Sequence, residues 1–286
     1  MFCSERDIMK SIVFLRWLFI AAVMFVPMER LAAQINYNGG TYSQDFNGLP
    51  VTGNQTLTGN GPFFFDDLTA LTITGMDGWQ FGNPLGSSGN TEFKTHSGSL
   101  SGSGGRGVIS FGLDNDTDRA LGALPTSNQI SRFGLLLVNS SGMIMEDVTI
   151  SFTGEQWRRG DRVDVPNTLL FEYGITDATA GINGAGVVNL NSNLNFVSPV
   201  TTGDPNVALN GNSAENQLFR SATLTGFQWN PGEVLGLRWT INDITGQDDG
   251  LAIDNFSFSA TVVPEPTAFF MLAGLGMVLA AGRRRS

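Results

Sequence analysis

Short runs in which every second residue is apolar recur along the middle of this chain, and a period of two commits it to β-structure. The clearest are Val148, Ile150 and Phe152; Phe171, Tyr173 and Ile175; and Leu235, Leu237, Trp239 and Ile241. Residues 108 to 111, 133 to 139, 223 to 227 and 251 to 260 are further strand candidates, and none of these runs carries the 3.6 period of a helix. Gly, Asn, Ser, Thr and Asp fill the joints, as turns demand. Many short strands with Gly-rich joints predict an all-β, two-sheet sandwich of the jelly-roll kind. Residues 86 to 107, dominated by Ser, Gly and Thr, sit between strand candidates and are expected to form a long surface loop within one domain. There is no internal repeat.

The two ends are of another character. A charged opening with Lys10, an apolar run over residues 12 to 26 broken only by Arg16, and then Leu31, Ala32 and Ala33 form the order of a secretory signal peptide. Its uninterrupted core, residues 17 to 26, is too short to cross roughly 30 Å of hydrocarbon as a helix. Cleavage is expected between Ala33 and Gln34. Met9 followed by Lys10 makes a more usual start than Met1, because Glu5 and Asp7 spoil a positive lead segment. At the far end, Val263, Pro264, Glu265 and Pro266 precede an apolar stretch over residues 267 to 282 and then Arg283, Arg284 and Arg285. The prolines stop the last strand from running into a helix, and the arginines hold the far side of that helix in the cytoplasm. Sixteen residues rising about 1.5 Å each give about 24 Å, which suits a temporary anchor. The expected organisation is a signal peptide at 1–33, an extracellular sandwich domain at 34–263 and a sorting signal with a transmembrane helix at 264–286.

On those residues the tail resembles the PEP-CTERM sorting signal of Gram-negative bacteria. The resemblance implies transient anchoring in the inner membrane, removal of the tail by an exosortase, and an association with exopolysaccharide production and biofilm. Signal peptidase is the second processing partner. The body has a fainter likeness: residues 118 to 122, 152 to 158 and 249 to 256, the last reading DGLAIDNF, resemble phrases of uncharacterised bacterial extracellular domains of the lectin-like and laminin-G-like sandwich type. That likeness bears on fold and brings no activity with it.

Composition narrows the chemistry. Cys3, the one cysteine, falls in the leader, so residues 34–263 hold no disulfide, thiolate nucleophile or Cys-ligated metal. The formal charge of −10 becomes −13 in the body, with nine basic against twenty-two acidic residues. Such a surface repels phosphate backbones and anionic lipids, which excludes nucleic acid as a partner, and it attracts divalent cations.

Two acidic clusters are candidate Ca²⁺ sites of structural type. Asp114, Asp116 and Asp118 sit at alternate positions, a spacing that can wrap a hard cation, although Arg119 and Pro125 stand where an EF-hand needs Gly and Glu. The other reading of that run is a solvated acidic turn with Asp118 paired to Arg119. Asp243, Asp248, Asp249 and Asp254 form the second cluster, with Asp249 and Asp254 the expected ligands; its other reading is an Asp-Gly turn with an Asp capping the backbone. No other cofactor is implied. Glu155, Gln156, Trp157 and Arg158 combine an aromatic face with hydrogen-bonding groups and are candidate carbohydrate contacts, against the plainer reading of an inner-sheet Trp beside an ion pair.

Catalysis is not expected. His96 is the only histidine, placed in the expected loop, and there is no Gly-x-Ser-x-Gly elbow or Glu-x-Asp-x-x-Glu strand motif. A glycosidase would need two carboxyls about 5 to 10 Å apart, and Glu155 and Glu172 meet that condition only if their strands pair. The expected function is a non-catalytic envelope or biofilm-matrix protein that binds extracellular polysaccharide. A purely structural or adhesive role stands second, and a glycoside hydrolase third.

Overall fold

The computed structural model describes residues 34–263. The expected signal peptide with Ala33, and the tail with Pro264, Glu265, Pro266, its transmembrane helix and Arg283 to Arg285, lie outside the described residues. In chain order the strands are β1 (Ile35–Tyr37), β2 (Thr41–Gln44), β3 (Asn54–Thr58), β4 (Phe63–Phe64), β5 (Trp79–Gly82), β6 (Asn90–His96) and β7 (Gly107–Phe111). There follow β8 (Ala120–Leu124), β9 (Arg132–Asn139), β10 (Met145–Arg159), β11 (Thr168–Thr176), β12 (Asn189–Leu190) and β13 (Phe196–Val197). The last are β14 (Val207–Ala208), β15 (Gln217–Leu224), β16 (Val234–Ile241) and β17 (Gly250–Val262).

They form the expected two sheets. Sheet A runs β12-β11-β16-β9-β5-β4, with β1 on β9 and β13 on β11; sheet B runs β14-β10-β17-β8-β7-β6-β3, with β15 on β10 and β2 on β17. Pairing is antiparallel except for β1 with β9 and β6 with β7. The apolar alternation sets the facing: Val148, Ile150 and Phe152 of sheet B and Leu235, Leu237 and Trp239 of sheet A are all fully buried in one shared core. Trp239 is its hub. Its ring stands 5.1 Å from Phe171, 5.4 Å from Phe152, 5.8 Å from Phe256 and 6.0 Å from Phe133. Rings from both sheets therefore interlock around one indole, which holds the sheets face to face.

Two sequence expectations change. Residues 86 to 107 are no continuous surface loop, because β6 runs through them and pairs with both β3 and β7. Phe93 drives this: it is the one large aromatic in that polar stretch, and it is fully buried against Phe81 and Phe65. His96 accordingly ends a strand and is buried. The strand expected at 223 to 227 ends at Leu224 and begins earlier, at Gln217.

The outer faces are covered as well. On sheet A, Gly174 lies opposite Gly236, and the segment around Ile182 and Val187 is laid over them. It is fixed there by Ile182 N–H donating to Gln80 Oε1 at 2.9 Å and by Arg238 Nη1 donating to the Ile182 carbonyl at 2.8 Å. A Cβ at Gly174 would overlap the Gly186 carbonyl oxygen. Gly174→Ala should therefore destabilise the protein by about 1–3 kcal/mol, seen as a lower midpoint in thermal unfolding, because neither sheet nor covering segment can retreat without breaking its hydrogen bonds.

Candidate functional site

The outer face of sheet B is where the sequence candidates gather. Three bulges in the pairing of β10 with β17 set which side chains reach it. The phase of β17 slips at Asn255, which has φ 50°. Phe256 and Phe258 face the core, and after the slip Ile253 and Leu251 do so too, so Ala252 and Asp254 turn outward. Glu155, opposite Ala252, shares that face, and so does Trp157, two residues on.

Trp157 closes a second, smaller core there with Ile109, Phe111, Ala120, Leu124 and Ala252. Its indole is 0% exposed, lies 6.1 Å from the Phe111 ring at 9°, and donates from Nε1 to Glu155 Oε2 at 2.9 Å. Gly211 seals it, since a Cβ there would enter the indole. Gln156 is equally buried and is occupied by the backbone of Val200 through both ends of its amide. The expected sugar platform of Glu155, Gln156, Trp157 and Arg158 is thus corrected: the aromatic face has no open side, and its apolar area is spent on the second core. Glu155 is 1% exposed. Burial first, then the charge of Asp254, push its pKa up to about 8.

Arg158 differs from its neighbours because it reaches a cleft. Nη1 donates to the Gly98 carbonyl at 3.0 Å and Nη2 to Asn206 Oδ1 at 3.2 Å, while Nε has no partner among the described residues. The cleft has a volume of about 490 Å³ and is lined also by Thr126, Ser127, Asp243, Gln247 and Asp248. Its far wall is held by Asn167: Asp248 Oδ1 accepts from Asn167 Nδ2 at 2.8 Å and from Ile244 N at 2.9 Å. Burial, and more weakly the neighbouring Asp243, raise the Asp248 pKa to about 7. The hydroxyls of Thr126 and Ser127 and the amide of Gln247 had no sequence pattern to mark them.

The two Ca²⁺ readings from the sequence do not survive as drawn. Asp249 Oδ1 accepts from Gly160 N at 2.7 Å, and Asn167 N–H faces its other oxygen, so Asp249 caps backbone. Asp254 lies five residues further along an extended strand, about 16 Å away, too far to share an ion with it. Asp116 Oδ1 accepts from Asp118 N at 3.1 Å within its own turn, and Asp118 Oδ2 accepts from Asn212 Nδ2 at 2.7 Å, while Asp114 is exposed. Arg119 does not pair with Asp118; its guanidinium is buried and donates to the Ser110 hydroxyl at 2.9 Å and to the Ser110 carbonyl. Among the described residues no three His, Cys, Asp or Glu side chains stand at metal-ligand geometry.

Glu155 and Glu172 are not partners either. Their strands lie in different sheets, with Glu155 on the outer face of sheet B and Glu172 on that of sheet A, where Arg238 grips it through Nε at 2.8 Å and Nη2 at 2.9 Å. The whole sandwich separates them. His96 is held neutral: burial pulls its pKa down to about 4, Nδ1 accepts from Gly98 N at 3.0 Å, and Nε2 faces the Gly105 carbonyl at 3.1 Å. It pins the loop over Trp157.

Residues 262–285 match the PEP-CTERM protein-sorting motif, beginning where β17 ends. The chain therefore carries a sorting signal that implies export, membrane anchoring before processing, and processing by an exosortase. Among the described residues no helix is long and apolar enough to cross a membrane. No curated protein sequence matches the chain. Among solved structures, the enzymatically active domain of bacteriophage CBA120 tailspike protein 4 aligns at 10% identity and TM-score 0.31, over 80% of this chain and 22% of that one. Arthrobacter globiformis isomalto-dextranase complexed with panose aligns at 12% identity and TM-score 0.28, over 79% of this chain and 33% of that one. The CBM22-1 xylan-binding domain from Paenibacillus barcinonensis aligns at 12% identity and TM-score 0.25, over 82% of this chain and all of that one.

Proposed function

We propose that this exosortase-sorted protein is a non-catalytic component of the bacterial surface or biofilm matrix that binds polysaccharide in the cleft beside Arg158. The cleft carries the reading. Its volume of about 490 Å³ is of the size that holds a small ligand or a few sugar rings, and hydroxyl, amide, guanidinium and carboxyl groups from separate segments converge on it. Such mixed donors and acceptors suit the many hydroxyls of a glycan. The non-catalytic part rests on the carboxyls. Glu155 and Glu172 point away from each other on opposite sheets, and in the cleft Asp248 is committed to Asn167 and the Ile244 amide with Asp243 beside it, whereas a glycosidase keeps its pair about 5 to 10 Å apart.

The test is retention of the full chain on exopolysaccharide purified from the producing organism. Retention is expected, with Ser127→Ala and Gln247→Ala each weakening it several-fold and no new reducing ends released. Retention that ignores both substitutions would remove the cleft from the proposal, and no retention at all would leave the structural or adhesive role in its place. Release of reducing sugar above a heat-killed control would sink the non-catalytic claim.

A further inference from the structure

Beyond the second core around Trp157, the outer face of sheet B is bare and paved with hydroxyls. Four strands stand side by side there: β15 pairs with β10, β10 with β17 and β17 with β2. One row across them reads Thr223, Thr149, Ser259 and Thr41 in direct register, with a hydrogen bond of 2.9 Å between the hydroxyls of Thr149 and Thr223. The next row, two residues along each strand, reads Ser221, Ser151, Ser257 and Ser43. Between the rows Ala222, Ile150, Phe258 and Tyr42 turn to the main core, so all eight hydroxyl side chains share the outer side, and none of them is buried. The rows stay in register because the bulges between β10 and β17 fall on either side of them, by Asp147 at φ 51° and Asn255 at φ 50°.

Strand propensity explains the Thr row but not the Ser row, since Ser is not among the strand formers. The array is also uncharged, in a body whose net charge is −13, and the acidic Glu146 and Asp45 lie beyond its two ends. At its β15 edge Phe219, two residues before Ser221 and on the same face, is 66% exposed. A protein partner is disfavoured, because the cores of protein interfaces are depleted in Ser, and the acidic body repels a polyanion. We propose that this array is a second, planar binding surface, separate from the cleft, for a neutral polysaccharide whose chain lies extended across the four strands. The strand spacing of about 4.8 Å is close to the length of one pyranose ring in an extended chain, so each successive ring meets one hydroxyl from either row. The ring at the β15 edge stacks on Phe219. Each hydroxyl both donates and accepts, which matches the hydroxyls of a sugar. Such short side chains also surrender little rotamer freedom on contact.

Retention of the full chain on microcrystalline cellulose and on chitin, two insoluble neutral polysaccharides, with alginate beads as an acidic counterpart, tests this. Retention on at least one neutral polymer and none on alginate is expected. Ser151→Lys and Ser257→Lys, which stand opposite each other at the centre of the array, should each weaken retention at least tenfold, and Phe219→Ala several-fold. Ser87→Lys, on an exposed bend away from the array, should leave it unchanged. Phe219→Ala, at an exposed position, keeps the test decisive should a lysine impair folding. The array is overturned if neither neutral polymer retains the chain, if alginate retains it equally, or if Phe219→Ala and the lysine variants bind as the parent does. A loss at Ser127→Ala equal to that at Ser151→Lys would place retention in the cleft and overturn the array as well. Failure of the array leaves the cleft reading standing, because none of the array's substituted side chains lines the cleft.

Discussion

Trp157→Ala is expected to lower the stability of the protein by about 3–5 kcal/mol, measured as a shift in the urea midpoint with an unchanged slope. The side chain is fully buried, stacked on Phe111, and in contact with a glycine at position 211 that no other residue could replace without displacing the ring. Removing it opens a cavity in the second core, whose few remaining apolar groups cannot collapse to fill it. The substitution also takes the Nε1 donor from Glu155, which keeps only Gln217 Nε2, at 3.2 Å. Trp157→Phe should cost less, since it retains a ring over Gly211 and loses only the donor and part of the volume. An indole that served as an open sugar platform would behave in the opposite way: alanine there would abolish retention on polysaccharide and leave the midpoint within about 0.5 kcal/mol of the parent, as exposed substitutions do. That result would restore the surface role denied to Trp157 above.

The period-two runs at 148 to 152 and 235 to 241 were legible because each faces one core on one side, and alternation encodes that and nothing else. What alternation cannot encode is the second layer. Ile109, Ala120 and Ala252 sit at positions that a single-core reading assigns to solvent, and they are apolar because loops cover sheet B from outside. The same blindness made Trp157 look like a free aromatic. The slip in β17, by contrast, was written in the sequence: Leu251 and Ile253 keep one phase, Phe256 and Phe258 the other, and a phase change of one residue is the signature of a bulge. Reading it would have placed Asp254 with Glu155 rather than with Asp249. Phe93 shows the converse failure. Its Ser- and Gly-rich surroundings suggested a loop, and a single buried ring outweighs them once β3 and β7 offer edges on either side.

Glu155→Gln should remove the largest single share of an alkaline loss of stability that the parent protein displays. Glu155 titrates at about 8 in the folded chain against 4.5 for the free side chain, raised first by burial and then by Asp254. Between those values the folded state holds a proton that the unfolded state has released, so stability falls as pH rises. The contribution is fully present below pH 4.5 and is lost as pH climbs through 8. Asp254, at about 7 against 3.8, adds a loss of the same sign that is complete somewhat earlier, and Asp248 behaves likewise on the far side of the cleft. At about 1.36 kcal/mol per pKa unit, the share of Glu155 alone is on the order of 5 kcal/mol once the pH is well above 8. An amide carries no charge to desolvate. Its oxygen can still accept from Trp157 Nε1, and Gln217 can reverse its own amide to meet the new NH₂ group. Urea midpoints from pH 5 to 9 should therefore fall more steeply for the parent than for the variant, in which Asp254 and Asp248 still titrate, with the curves crossing so that the variant is the more stable at pH 9. Parallel curves would mean that Glu155 is already ionised in the folded protein at neutral pH, with a counter-charge beside it that the described side chains do not supply.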